Sequence, residues 1–258
     1  MALGKLVIAA VLCCATATTV AQDSSQTYAE WSTETRTSLG FWVNAEAIRS
    51  LLPAGWSVAP ATDAPDKVNV SMTFMDRHLV LDSQGQALGS GSSRYMVMTV
   101  QARNDASGQN STLAINGISP EGSGSYEVYQ QAVTARAVRL RDGEGESSGQ
   151  IEENWEMVAE SGDRVQLTLS YQPALPVRRQ SSIVVRSGKN TGFTRTYRID
   201  QASDALGLPE ADRINTLEFH AQGPLFSRLF DGSEELTGVT STPFYVREIY
   251  IPYEIYIP

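Results

Sequence analysis

Cysteine is almost absent from this sequence, and both occurrences lie near the N-terminus. Cys13 and Cys14 stand within a segment that has the three parts of a secretory signal peptide. These parts are the basic Lys5, an apolar run over residues 6–15, and small residues that end at Ala21. We therefore expect cleavage after Ala21, which leaves a mature chain without disulfides, thiolate nucleophiles or cysteine-ligated metals.

Long apolar runs are missing as well. The run over residues 6–15 is shorter than the roughly 20 residues that a transmembrane helix needs, and no later segment of the sequence is a better candidate. The sequence predicts a secreted or periplasmic protein with no membrane insertion after signal cleavage. The formal net charge of −9 repels phosphate backbones, so we expect no nucleic-acid partner.

Lysine is the scarcest basic residue. Of the 20 basic residues, only Lys5, Lys67 and Lys189 are lysines. Lys189 stands in a Gly/Asn-rich turn, where its amine is expected to be solvated, charged and poorly nucleophilic. The mature chain therefore has few side chains that could form an imine.

Short alternating segments separated by Gly, Ser, Asn and Asp clusters indicate antiparallel β structure. Apolar and polar residues alternate over 68–74 and 165–171, as expected of strands with one buried face. Segment 151–160 is expected to pair with 165–171, and segments 183–186 and 193–199 are expected to form a second hairpin. Residues 126–141 are expected to form a long strand that is bent or bulged. We predict a signal peptide over 1–21 and one mainly β domain over 22–258, with a barrel- or sandwich-like core.

Helical signals are few. Asn44 is placed to cap a short helix over 45–52, and segments 204–208 and 225–230 are expected to form a turn or two. The sequence ends in a direct repeat whose copies begin at Glu248 and Glu254. The pattern favours an edge strand followed by a duplicated tail.

Two histidines each follow an acidic residue by two positions. Asp76 precedes His78, and Glu218 precedes His220. Residues two apart share one face of an extended segment, so each pair is able to present an imidazole beside a carboxylate. If the two segments adjoin, all four residues could hold a divalent metal or perform acid–base catalysis. The alternative is that both pairs lie on solvated strand faces.

Two separated parts of the sequence resemble the acetoacetate decarboxylase-like superfamily. Near the start, residues 45–56 read AEAIRSLLPAGW, a short helix leading into a proline turn, followed by a strand over 68–76. Near the end, residues 223–232 read GPLFSRLFDG and precede a closing segment over 243–252. The resemblance implies a largely antiparallel β fold around an internal pocket, often within a homo-oligomer.

The decarboxylases of that superfamily form a Schiff base through a lysine in the middle of the chain. The corresponding region here, 116–124, has Glu121 and no lysine, so the resemblance implies that imine chemistry is lost. The family's pocket glutamate follows a tyrosine of the next strand, but this sequence has Tyr95-Met96-Val97 there. By the same resemblance, Arg36 corresponds to the family's pocket arginine. We predict Arg36, Arg94 and Tyr95 as ligand-binding residues.

Three functions remain open at this point. The first is a pocket that binds a small carboxylated or apolar ligand without catalysis. The second is a diverged lyase, isomerase or hydrolase that uses Glu121, His78 or His220. The third is a structural envelope protein. We favour the binding protein, with no cofactor, because an enclosed fold supplies a cavity and no strong nucleophile is evident.

Overall fold

Twelve strands and two short helices are formed by the residues that the structure describes, which are 26–59, 69–145, 149–207 and 213–252 of this computed structural model. The predicted signal peptide and Lys67 lie outside these ranges. The strands are β1 (Gln26–Trp42), β2 (Trp56–Val58), β3 (Val70–Asp82), β4 (Ser93–Asn104), β5 (Asn110–Ser119), β6 (Tyr129–Asp142), β7 (Gln150–Ala159), β8 (Arg164–Tyr171), β9 (Val177–Ser187), β10 (Thr194–Gly207), β11 (Ile214–Gln222) and β12 (Glu235–Pro252). The helices are α1 (Ala45–Arg49) and α2 (Phe226–Leu229).

The mainly β fold predicted from the alternating segments is confirmed. The predicted hairpins are present, because β7 pairs antiparallel with β8 and β9 with β10. The long strand β6 carries the expected irregularity, a register shift between Ala132 and Thr134. Asn44 caps α1 through its side chain, which accepts a hydrogen bond from the backbone N–H of Glu46 at 2.9 Å.

Seven of the strands form a closed ring. The order β5–β9–β10–β12–β1–β3–β4 returns to β5, since β4 also pairs with β5. In this ring β1 lies between β12 and β3, whereas β5 and β9 lie on the far side from it. Alternate residues of each strand point into the ring, so the ring has its own interior.

The remaining long strands form a second layer against the outside of the ring. β6, β7, β8 and β11 are joined in antiparallel order, and β6 continues into the ring through a short parallel pairing with β5. The larger apolar core lies between this layer and the outer face of β1, β3 and β4. It contains Phe41, Phe74, Met98, Trp155 and Leu167, all nearly inaccessible to solvent.

Two local predictions were wrong. Segment 204–208 was expected to be a helical turn, but β10 continues through Gly207 because it pairs with β12 as far as Val239. The first copy of the terminal repeat was expected at an edge, yet β12 pairs with both β1 and β10. The second copy lies outside the described residues. No helix among the described residues is long and apolar enough to cross a membrane.

Candidate functional site

The interior of the ring contains a cavity of about 270 Å³. Its lining residues come from all seven strands of the ring, from β6 and from the connections β3–β4 and β5–β6: Glu30, Arg36, Thr73, Met75, Arg77, Leu88, Tyr95, Val97, Thr99, Thr112, Ala114, Ser119, Glu121, Gly124, Ser125, Tyr126, Tyr129, Ile183, Val185, Arg195, Tyr197, Tyr245 and Arg247. The set combines four arginines with five tyrosines. A cavity with convergent polar groups inside an otherwise apolar wall is typical of a small-molecule site.

Glu34 is the carboxylate around which one wall of the cavity is organised. It is 1% exposed and accepts hydrogen bonds from Ser32 Oγ at 2.7 Å and from Arg36 Nε at 2.7 Å. Arg247 Nε lies 2.9 Å from Glu34 Oε1, the oxygen that also accepts from Ser32. Burial alone would raise the pKa of Glu34, but Arg247, Arg36 and the Ser32 hydroxyl together lower it to about 2. Glu34 is therefore ionised and fully partnered.

A second buried carboxylate, Glu30, joins the same network. Arg77 forms a short hydrogen bond with it, and Arg247 Nη2 lies 3.6 Å away. Arg247 also donates from Nη2 to the Tyr95 hydroxyl at 3.0 Å. Although burial opposes its charge, Glu34, Tyr95 and Glu30 raise the pKa of Arg247 well above its usual value. Arg247 consequently stays charged beside the cavity.

Aromatic rings cover the arginine side chains. The Arg36 guanidinium carbon lies 3.4 Å from the centroid of the Tyr245 ring, a separation at which the ring face stabilises a cation. Arg195 lies 5.8 Å from the Tyr126 ring centroid. Burial raises the pKa of both tyrosines, so their hydroxyls remain neutral and available as donors.

The tyrosines also order one another. The hydroxyls of Tyr126 and Tyr197 are 2.6 Å apart. Tyr129 packs edge-on against Tyr95 with ring centroids 5.9 Å apart, and burial raises its pKa well above the usual value. No described residue hydrogen-bonds its hydroxyl, so the Tyr129 O–H is free to donate into the cavity that it lines.

Two glycines make room for Tyr129. A Cβ on Gly117 would lie 2.2 Å from the Tyr129 ring and 2.4 Å from a backbone oxygen of Met96. A Cβ on Gly124 would lie 2.6 Å from the other edge of the ring, and Gly124 has a φ of +60°, which favours glycine. Glycine at both positions therefore leaves space for the Tyr129 ring beside β5 and the loop that follows it.

The charges at the cavity do not balance. Arg36, Arg77, Arg195 and Arg247 face two buried glutamates, Glu30 and Glu34, and the third carboxylate, Glu121, has a side chain that is 58% exposed. Arg195 forms no ion pair among the described residues, and its Nε is buried without a hydrogen-bond partner there. Because burying an uncompensated cation is costly, this surplus favours an anion in the cavity.

Three of the residues predicted from the sequence line this cavity. Arg36 and Tyr95 lie within its wall, and Glu121 lies at its edge, 3.5 Å from Arg77. Arg94, which is adjacent to Tyr95 and therefore points to the other side of β4, pairs with Asp76 at 3.0 Å instead. It is not one of the lining residues of the cavity.

The two histidine–carboxylate pairs are not brought together. His78 lies on β3 and is half exposed, with its Nε2 2.9 Å from Thr35 Oγ1 and its Nδ1 3.8 Å from Asp76. Glu218 and His220 are exposed on β11, in the outer layer. Within the described ranges no group of three or more His, Cys, Asp or Glu residues could hold a metal ion. The predicted shared metal site is therefore not formed, and neither histidine lines the cavity.

No lysine is found among the described residues that line the cavity. The chain segment where the superfamily resemblance places the Schiff-base lysine contributes Ser119, Glu121 and Gly124 to the lining. Lys189 has a side chain that is 64% exposed and lies 3.7 Å from Glu127.

Sequence reasoning missed Arg77, Arg195 and Arg247. A usable signal was present for Arg247, which together with Glu248 interrupts an apolar and aromatic run over 243–251. A charged residue at an inward position of a buried strand requires a partner or a ligand. Arg195 shares the inward face of β10 with Tyr197, and that pattern alone does not distinguish an interior from a solvated face.

Comparison with known proteins gives matches among solved structures only: neither a family model nor a curated protein matches the sequence. The enduracididine biosynthesis enzyme MppR with HEPES buffer bound superposes with a TM-score of 0.53 and 12% identity, covering 87% of this chain and 86% of that chain. MppR complexed with pyruvate gives a TM-score of 0.51 and 13% identity, and the match covers 87% of this chain and 88% of that chain. An acetoacetate decarboxylase-like enzyme from Sphingomonas wittichii RW1 gives a TM-score of 0.52 and 9% identity, and the match covers 87% of this chain and 90% of that chain.

These likenesses extend over most of the chain, and at such low identity they establish the fold. The protein has an acetoacetate decarboxylase-like fold, as the sequence resemblance predicted.

Proposed function

We propose that this protein is exported and binds a small carboxylate in the cavity of the strand ring, without forming an imine. The observation that carries the proposal is the surplus of arginine over buried carboxylate around the cavity. A ligand carboxylate would supply the missing negative charge and accept charge-assisted hydrogen bonds, which are roughly twice as strong as neutral ones.

Arg195 and Tyr129 are the residues best placed to hold that carboxylate. The side chain of Arg195 donates only to Ser125 among the described residues, so it has further N–H groups for a ligand. The Tyr129 hydroxyl has no protein partner in the same set. Arg36 and Arg247, by contrast, already pair with Glu34 and contribute mainly positive potential.

Proteins of the same fold support an anionic ligand. The solved structures of MppR include one complexed with pyruvate and one with HEPES buffer bound. Pyruvate is a 2-oxo carboxylate, and HEPES carries a sulfonate. The charge of both matches the excess of arginine around the cavity of this chain.

The absence of imine chemistry is supported by the residues around the cavity. Arginine is always protonated in proteins, and glutamate cannot condense with a carbonyl group. Lys189 is exposed and paired with Glu127, and Lys67 lies outside the described residues. We therefore expect the ligand to bind reversibly through hydrogen bonds and charge.

Export is supported by the signal-peptide pattern over residues 1–21. When the full chain is expressed in a secreting host, the mature protein should begin at Gln22 and be recovered outside the cytoplasm. N-terminal sequencing checks this, and an intact Met1 on protein retained in the cytoplasm would contradict it.

The binding proposal is tested with pyruvate and the exported protein. Isothermal titration calorimetry should give one saturable site per chain. Borohydride is then added to the pyruvate complex, and the intact mass is measured. We expect an unchanged mass, since no imine is available for reduction. A borohydride-dependent adduct on Lys67 or Lys189 would overturn the noncovalent mechanism, and no binding of any small carboxylate would overturn the function.

A further inference from the structure

The cavity has two unlike walls. Strands β10, β12, β1 and β3, which are consecutive in the ring, contribute five charged residues: Glu30, Arg36, Arg77, Arg195 and Arg247. Across the ring, β5 and β9 contribute Thr112, Ala114, Ser119, Ile183 and Val185, none of which ionises. We call the first group the arginine wall and the second, together with Val97 and Thr99 of β4, the uncharged wall.

Strand pairing makes the uncharged wall continuous. Thr99 of β4 lies opposite Ala114 of β5, and Thr112 of β5 lies opposite Val185 of β9. Direct neighbours on paired strands have side chains on the same face, so these four residues form one patch. Val97, Ala114 and Val185 belong to the apolar cluster inside the ring and are each at most 7% exposed.

Two large apolar side chains of the cavity lining are partly exposed. Ile183 on β9 and Leu88 in the β3–β4 connection both line the cavity, and they are 44% and 46% exposed. Large apolar residues that are half exposed at a cavity are suited to contact an apolar ligand. The cavity therefore runs from charged donors on one side to apolar contacts on the other.

Its volume exceeds the needs of a three-carbon acid. A cavity of about 150 Å³ is sufficient for benzene, whereas the volume here is about 270 Å³. The additional space lies between walls of opposite character, which is the arrangement expected for a ligand with one charged and one apolar end.

We infer that the preferred ligand is an amphipathic monocarboxylate of about six carbons, including the carboxylate carbon. Its carboxylate faces the arginine wall, and its body lies on the uncharged wall formed by β4, β5 and β9. This inference rests on the proposed carboxylate-binding function and adds the class of acid. A dicarboxylate of the same length is disfavoured, because its second charge would be desolvated against Val97, Ala114 and Val185.

A matched series of acids tests the inference on the wild-type protein. Propanoate, hexanoate and hexanedioate are titrated calorimetrically at one pH and one ionic strength. Hexanoate should bind about tenfold to fiftyfold more tightly than propanoate, because three additional methylene groups are buried. Hexanedioate should bind at least about tenfold more weakly than hexanoate.

The outcomes separate the two proposals. Equal affinity for propanoate and hexanoate, or tighter binding of hexanedioate, would overturn the amphipathic ligand while leaving carboxylate binding intact. If none of the three acids binds, the proposed function itself fails.

A pair of variants on β4 tests the position of the apolar body. Val97→Thr places a hydroxyl on the uncharged wall and should reduce the hexanoate-to-propanoate affinity ratio about threefold to tenfold. Val100→Thr is the control, since Val100 belongs to the core between the two layers. Thermal unfolding first establishes that both variants are folded. If the hexanoate-to-propanoate affinity ratio is unchanged in Val97→Thr, or is reduced equally in Val97→Thr and Val100→Thr, the apolar body does not lie on the uncharged wall.

Discussion

Glu34 and Glu153 are the most deeply buried carboxylates among the described residues, 1% and 0% exposed, and they have different surroundings. Glu34 lies inside the strand ring, beside a cavity, and its main partners are Arg36 and Arg247. Glu153 lies between the two layers, where the apolar core is filled. One carboxylate is surrounded by cations and the other mainly by neutral donors.

The partners of Glu153 are complete without a ligand. It accepts hydrogen bonds from Thr37 Oγ1, from Trp155 Nε1 at 3.0 Å and from Tyr171 Oη at 3.1 Å. Arg139 lies 3.5 Å away and is partly exposed. This arrangement joins β1 of the ring to β7 and β8 of the outer layer, and we interpret it as structural.

The comparison shows how a binding site differs from a structural network of similar composition. Around Glu153 one carboxylate meets one arginine, Arg139. Around the cavity, four arginines meet two buried carboxylates, and Arg195 keeps a buried, unpartnered N–H group among the described residues. An imbalance of charge that borders open volume indicates a ligand, whereas buried charge alone does not.

The largest difference is expected between two glutamine substitutions. Glu34→Gln should lower the free energy of unfolding by about 3–5 kcal/mol, because it leaves Arg36 without its counterion and Arg247 with Glu30 alone. Glu153→Gln should cost about 1–3 kcal/mol, since most of its donors are neutral. Urea denaturation at pH 7 measures both values. An equal or reversed order would contradict the distinction between the two sites.

The pH dependence of stability should show that Glu34 is a buried anion. The pKa of Glu34 falls from its usual 4.5 to about 2 on folding. Because this pKa is lower in the folded state, the ionised Glu34 stabilises the protein at pH values above the unfolded-state pKa. The stabilisation is lost as the pH falls towards 2. The contribution is about 3 kcal/mol at neutral pH.

This contribution is measured as the difference in unfolding free energy between wild type and Glu34→Gln from pH 7 to pH 3. The difference should be constant above about pH 5.5 and shrink below pH 4.5. A difference that does not change with pH would show that Glu34 is not stabilised as an anion.

A smaller effect is expected at Arg195, and on binding more than on stability. Arg195→Gln should weaken hexanoate binding about tenfold to a hundredfold, through the loss of a charge-assisted hydrogen bond. Its effect on unfolding should stay below about 1 kcal/mol because Arg195 forms no ion pair among the described residues. Arg178→Gln is the matched control, since Arg178 lies on the exposed part of β9 and pairs with Asp200 of β10. Equal losses of affinity in both variants would contradict a specific role for Arg195.

The smallest expected effect concerns tyrosine hydroxyls. Tyr197→Phe removes one hydrogen bond, to Tyr126, and should cost about 1 kcal/mol. Tyr171→Phe, between the layers, removes bonds with Glu153, Ser241 and Arg139 and should cost about twice as much. Thermal and urea unfolding measure the loss of stability in each of the two variants. A larger cost for Tyr197→Phe would indicate that the ring interior, not the interlayer network, is the more tightly bonded region.

Much of the fold was predictable because local patterns agreed with tertiary structure. The alternation over 165–171 correctly predicted β8, and Asn44 correctly indicated the start of α1. The long pairing of β10 with β12 was not visible, since the paired residues are distant in sequence, from Gly207 with Val239 (32 positions) to Thr196 with Tyr250 (54 positions). Segment 204–208 therefore looked like a turn.

The site was only partly predictable for a related reason. A period of two places Asp76 and His78 on one side of a strand, but it does not say which side faces a cavity. The structure adds that β1, β3 and β12 are neighbours, which brings Arg36, Arg77 and Arg247 to one wall. Arg36 and Tyr95 were reached through family resemblance, whereas Arg77 and Arg247 required the strand order.

The most direct test of the account compares hexanoate with hexanamide, which has the same length and no charge. If surplus arginine defines the site, calorimetry should give at least about tenfold tighter binding of hexanoate, and this preference should decrease in Arg195→Gln. Equal affinity for the acid and the amide would contradict the claim that the cavity is built to bind a carboxylate.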